Sequence, residues 1–158
     1  LVAVPATFAA LAPESRPGRF LLKPMTATAI ALYITITGVV YYVLLADLYD
    51  LTDWDKTFSE TLHYVIPPLY VLFWLIFIPK GTLTLRHVPW MLLFPLLYGI
   101  YTLVRGPLVG WYPYPFIDAA ELGYQRTFLN IVEFVVFFAL VASIFTLIDQ
   151  VVGRLTRR

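Results

Sequence analysis

The sequence predicts an all-α fold, a polytopic transmembrane helix bundle with four full spanning helices and the end of a truncated one, on three observations. Hydrophobic residues make up 60% of the 158-residue chain and charged residues 13%, with a mean hydropathy of +0.79. A soluble domain carries about 45–50% apolar and about 25% charged residues, so too little polar surface is left here to coat a water-soluble body. Four apolar runs are long enough to cross a bilayer, and the charges on the connections between them alternate in sign along the chain.

The chain opens on the apolar run Leu1 to Ala12, shorter than the about 20 residues that a crossing helix needs. It reads as a truncated helix, with the preceding N-terminal helices missing, rather than as a signal peptide, whose basic n-region is absent. The full runs are 25–46, 61–79, 88–105 and 127–150, each apolar around its whole circumference. At a rise of 1.5 Å per residue, runs of about 18 to 24 residues measure roughly 27 to 36 Å, which matches a hydrocarbon core of about 30 Å. They must be helices, because an open sheet edge in lipid would leave backbone groups unpaired. No internal repeat or second domain is evident, so residues 1–158 read as one transmembrane domain.

Orientation follows from the connections, since short loops rich in Lys and Arg stay on the cytoplasmic side. The first loop holds Arg16, Arg19 and Lys23 against Glu14, the third holds Lys80 and Arg86, and the tail ends in Arg154, Arg157 and Arg158. Between them the second loop carries Asp47, Asp50, Asp53, Asp55 and Glu60 against Lys56, and the fourth carries Asp118 and Glu121 against Arg126. All five connections agree with one arrangement: a cell-membrane protein with a cytoplasmic C-terminus, and with His63 and the 107–126 connection on the outer side.

Several function classes are excluded or left without support. A net charge of +1 from 11 basic and 10 acidic residues offers no basic stripe for nucleic acid. Without cysteine there is no disulfide, thiolate metal site or thiol nucleophile. No Gly-rich phosphate loop, HExxH or Gly-x-Ser-x-Gly elbow occurs, and neither a cofactor nor a metal is expected. The carboxylates from Asp47 to Asp55 lack the glycine and the closing bidentate Glu of a calcium loop, so they read as solvated outward-facing acids.

Five features can carry chemistry. His63 opens the second full run in Thr61-Leu62-His63-Tyr64-Val65-Ile66-Pro67-Pro68. Pro67 and Pro68 have no N–H to give the carbonyls of His63 and Tyr64, which predicts an irregular, wet pocket beside the histidine. The positive end of the helix dipole there favours neutral imidazole, while the bland alternative is an interfacial histidine bonded to a neighbouring helix. Arg105, at the outer end of the third run, is placed to hold a carboxylate or phosphate bidentately or to snorkel. The segment Trp111-Tyr112-Pro113-Tyr114-Pro115-Phe116-Ile117-Asp118 reads either as an aromatic belt on the interface or as a lid that aims Tyr112, Tyr114 and Asp118 into the pocket. Asn130 and Glu133 share a helix face with Thr127. Glu133 is the deepest acid of that stripe and is expected to face the bundle interior, paired or protonated, or else to fix helix packing. Thr26, Thr28, Thr35 and Thr37, with Gly38, are expected to bond their own backbone or to support close packing.

Leu62-His63-Tyr64-Val65-Ile66-Pro67-Pro68, Pro79-Lys80-Gly81 and Trp111-Tyr112-Pro113-Tyr114-Pro115-Phe116-Ile117-Asp118 occur in one order that resembles the bacterial branch of the androgen-induced-protein, or FAR-seventeen-a-like, family. That resemblance spans nearly the whole chain, and the aromatic-proline segment is its most specific element. It implies a six-helix membrane protein. The animal members hydrolyse fatty acid esters of hydroxy fatty acids with a threonine and a histidine. The histidine carries over to His63; the threonine has no match here, because the helix that bears it corresponds to the truncated Leu1 to Ala12 and Thr7 lies too late. Arg105 also departs from the animal pattern, which puts their substrate in doubt for this chain.

The leading expectation is therefore an intramembrane lipid-ester hydrolase. His63 would be the general base for a threonine outside the chain, Arg105 the anchor of a substrate carboxylate, and Asn130 or a tyrosine the oxyanion donor. Its partners are membrane lipids. The alternatives are a non-enzymatic transporter, a lipid-binding scaffold, or a subunit of a larger complex.

Overall fold

The computed structural model describes residues 2–48 and 52–156. Leu1 of the first apolar run, and Asp50, Arg157 and Arg158 of the topology argument, lie outside the described residues. The described chain is all-α: α1 Ala3–Leu11, α2 Arg16–Leu21, α3 Pro24–Val40, α4 Asp53–Glu60, α5 Ile66–Phe77, α6 Val88–Val109 and α7 Ala119–Thr156.

Four helical stretches are long and apolar enough to cross a membrane: Pro24–Leu48, Asp53–Phe77, Leu85–Val109 and Ala119–Thr156. Their surfaces invert the pattern of a soluble protein. Val43, Leu72, Ile76, Phe94, Leu97 and Ile144 are all exposed, and apolar side chains exposed on every span belong in hydrocarbon, where burying them against protein brings no gain over lipid. The chain is a multi-pass membrane protein.

Two compact units divide it, one of residues 1–84 with 145–158 and the other of residues 85–144. In the first, α3 packs on α5. Small and β-branched residues are buried on α3, Ala27, Thr28 and Ala31, and aromatic ones on α5, Tyr70 and Trp74. Thr28 ties the pair together. Its hydroxyl donates to the Pro24 carbonyl at 2.7 Å and accepts the Trp74 indole N–H at 2.8 Å, so one side chain satisfies a buried polar atom on each helix. Thr37 bonds back to the Tyr33 carbonyl at 2.9 Å, and Gly38 lets the two backbones approach, since a Cβ there would stand 2.8 Å from the His63 carbonyl oxygen and 3.1 Å from Pro67 Cγ.

Both helices loosen at one level. α3 passes into a π-helical turn at Tyr41–Leu45, and α4 is joined to α5 by another at Thr61–Val65. The second has a direct cause in the sequence. With Pro67 and Pro68 unable to donate, the chain widens by one residue ahead of them and the Ile66 N–H reaches back to the Thr61 carbonyl. The irregularity expected beside His63 is thus a wide turn, with the His63 carbonyl against Gly38. The helical stretch begins at Asp53 instead of Thr61, so His63 lies ten residues inside it, away from the first-turn dipole that would act on its ring.

In the second unit α6 continues through Pro107 to Val109 and ends on Gly110 in the left-handed conformation at φ 66° and ψ 24°. That is the glycine termination helices favour. The expectation that the helix stops at Arg105 fails because Pro95 and Pro107 are both accommodated inside it. α7 is broken at Gly123, φ 73° and ψ 155°, which leaves one short turn after Asp118 before the long span begins.

Candidate functional site

His63 is half-buried. Its ring stacks on Tyr41, centroids 3.9 Å apart and planes 9° from parallel, and Tyr64 meets Tyr41 edge-on at 5.7 Å. The Nδ1 nitrogen lies 2.7 Å from the Ser59 carbonyl oxygen. A carbonyl only accepts, so Nδ1 carries the hydrogen and donates it, and in the neutral ring the lone pair is left on Nε2. The Ser59 hydroxyl donates to the Tyr41 hydroxyl at 2.8 Å, which clamps the tyrosine that clamps the imidazole. Tyr41 and Ser59 are the residues the sequence reading missed. The signal was Ser59 four residues before His63, the spacing at which a helical side chain meets a preceding carbonyl.

The second unit gathers the other candidates around the 110–118 connection, which is pinned to its own helices. Tyr112 is buried with its ring against Gly106, where a Cβ would come within 2.2 Å of the ring. Phe116 is sandwiched, stacking on Tyr114 at 5.2 Å and on Phe134 at 4.6 Å. The Asn130 amide donates to the Phe116 carbonyl at 2.7 Å, so Asn130 holds the loop down and is not free to face an oxyanion. Asp118 Oδ1 accepts from the Ala120 and Glu121 N–H groups at 2.9 and 3.2 Å. It is the N-cap of α7.

Glu133 differs from its expectation: it is exposed instead of facing inward. The rotation of α7 explains this. Asn130 and Phe134, four apart, both engage Phe116, and Glu133 lies to one side of that face. The Arg105 guanidinium is 5.5 Å from the Trp111 ring centroid, a cation–π placement in which the aromatic face takes the part expected of a carboxylate.

Tyr112 and Asp118 come together at a cavity of about 300 Å³ lined by Gly106, Pro107, Gly110, Tyr112, Asp118, Ala119, Ala120 and Tyr124. Burial, with the nearby Tyr124 and Asp118 charges, pushes the Tyr112 phenol above its ordinary value of 10.0, so it stays a neutral donor.

A further polar cluster in the first unit was passed over in the sequence. Asp149, fully buried, receives the N–H groups of Gly81, Thr82 and Leu83 on Oδ2 at 3.0, 3.0 and 2.9 Å, while Oδ1 has no partner. Gln150 donates to the Leu83 carbonyl at 3.1 Å. Lys80 sits 4.2 Å from the Trp74 ring centroid and donates to the Trp74 carbonyl and, at 2.6 Å, to that of Ile78. The signal was an acid deep in an apolar helix, which demands a donor, and the motif Pro79-Lys80-Gly81 supplies one.

Burial lowers the Lys80 ammonium from 10.5 to about 8, against the Asp149 carboxylate that holds it up. An unfolded chain, with its lysine near the ordinary value, therefore binds more protons than the folded one between about pH 8 and 10.5, and folded-state stability must rise with pH across that window. Thermal unfolding in detergent is expected to shift upward from pH 8 to pH 10, and Lys80→Met should flatten the slope; a slope unchanged by that substitution would refute the assignment. No family model, curated protein or solved structure is significantly similar to the chain.

Proposed function

We propose that the protein is a lipid-ester hydrolase of the cell membrane in which His63, toward the outer side, moves the proton. One observation carries the reading: the Nδ1–H is committed to the Ser59 carbonyl and the ring is clamped by Tyr41, so Nε2 is the basic atom and its direction is set. As the attacking hydroxyl oxygen bonds to the ester carbon, Nε2 takes the hydroxyl proton and returns it to the departing alkoxide. A hydroxyl at neutral pH is a poor nucleophile until such a base relieves it of its proton. The family resemblance supports a threonine as its source, and no residue of this chain matches that threonine. Pro67 and Gly38 serve the same reading, since they bring α3 against the widened turn and seat Tyr41 on the ring.

His63→Gln, which keeps a donor near Ser59 and removes the basic lone pair, should lower hydrolysis of a long-chain ester by about a hundredfold or more in membranes containing the full protein. Equal protein abundance by immunoblot is the control. Unchanged hydrolysis would end the proposal.

The exposed Glu133 favours a second reading, a non-enzymatic transporter or lipid-binding scaffold. An acid on the outside of a spanning helix calls for a polar neighbour beyond this chain. Solute flux in liposomes that Glu133→Gln abolishes, with no esterase activity in the same preparation, would select it.

A further inference from the structure

The cavity beside Asp118 is not used by the chemistry assigned to His63, and its lining is selective in sign. Asp118 is its one carboxylate, and no Lys, Arg or His lines it. The backbone donors at the start of α7 that might have made it an anion site are already taken. Asp118 occupies the first N–H groups of α7, Oδ1 accepting from Ala120 and Glu121 and its backbone carbonyl from Leu122 at 2.9 Å, so the positive end of that helix is neutralised from within. Pro107 and Gly110 of its lining belong to the last turn of α6, the negative end of that helix. Tyr112 and Tyr124 add two aromatic rings. Arg105, next in sequence to Gly106 of the wall, has its guanidinium on Trp111.

A carboxylate, the negative end of a helix and two aromatic rings around one small space form the recognition set of an organic cation. One carboxylate falls short of the six or more oxygen ligands that a hard divalent metal ion takes, whereas an alkylammonium needs only one counter-charge, a few acceptors and an apolar wall. Because the 110–118 connection joins two spanning helices, the cavity lies at a membrane surface, the depth at which lipid headgroups sit.

We infer that this cavity binds a primary ammonium group, as carried by an ethanolamine headgroup, with Asp118 as its counter-ion and Tyr112 and Tyr124 as its aromatic walls. Asp118→Asn is the informative variant, because asparagine caps a helix as well as aspartate does and removes only the charge. The full chain would be purified in detergent, mixed with equal amounts of phosphatidylethanolamine, phosphatidylcholine and phosphatidylglycerol, and its retained lipid measured by native mass spectrometry.

The expected result is preferential retention of phosphatidylethanolamine, reduced about tenfold by Asp118→Asn and a few-fold by Tyr124→Leu, with helix content unchanged by circular dichroism. Free ethanolamine at millimolar concentration supplies the second arm. Displacement of the lipid by it would support the ammonium site with a soluble amine as ligand, and resistance to it would support the lipid headgroup. Equal retention of the three lipids, a preference for phosphatidylglycerol, or a preference that Asp118→Asn leaves intact would overturn the inference.

Discussion

Asp149→Ala is expected to destabilise the protein by about 3–4 kcal/mol, read as a lowered unfolding temperature in detergent. Three backbone donors converge on one carboxylate oxygen, and truncating the acid removes that acceptor from all three. The costs are unequal. Leu83 is buried and its N–H has nowhere else to turn, whereas Thr82 is exposed and its donor can recruit water; this keeps the total below three full desolvation penalties. Asp149→Asn retains one acceptor oxygen at the same place and should lose about half as much. A stability equal to wild type in the alanine variant would show that the 80–83 segment does not depend on this bond set.

Gly153→Ala should cost about 3 kcal/mol, the upper part of the usual range for overpacking. A Cβ on Gly153 would stand 2.3 Å from Gly81 Cα, 2.5 Å from Gly81 N and 2.8 Å from the Lys80 carbonyl carbon. All three are backbone atoms, so no rotamer change relieves the clash, and either the loop or the helix end must move. By contrast, Gly99→Ala meets nothing within 4 Å and should be neutral or slightly stabilising through helix propensity. Asp149 and Gly153 are four residues apart on one face of α7 and hold the same segment. Their double variant should therefore lose less than the sum of the single losses. Additive losses would mean that the two act on separate contacts.

These predictions lie on residues to which the linear reading gave no structural role. Asp149 was passed over, and Lys80 figured as a cytoplasmic charge. What joined them was the packing of the last helix against the 80–83 loop, 66 to 68 residues away in sequence. The Tyr41 stack on His63 has the same character, since nothing in either local sequence pairs the first span with the second at that level. Glu133 shows the converse. Its three-residue spacing from Asn130 was read correctly as adjacency on a helix, but which of two neighbouring faces turns inward depends on Phe116 and Phe134, and periodicity carries no such information in a helix that is apolar all round.

The membrane-spanning, all-α character follows from composition and run length alone, because lipid imposes the same demand on every segment it surrounds: about twenty apolar residues and no unpaired backbone. An irregularity before Pro67 was equally legible, since missing N–H groups are a property of proline and not of context, but its form, a widened turn, was not. The tautomer of His63, the cap made by Asp118 and the three-donor seat of Asp149 were not. Each is a hydrogen bond whose partner is chosen by helix rotation and loop path, and in these helices the apolar pattern that would normally set rotation is uniform.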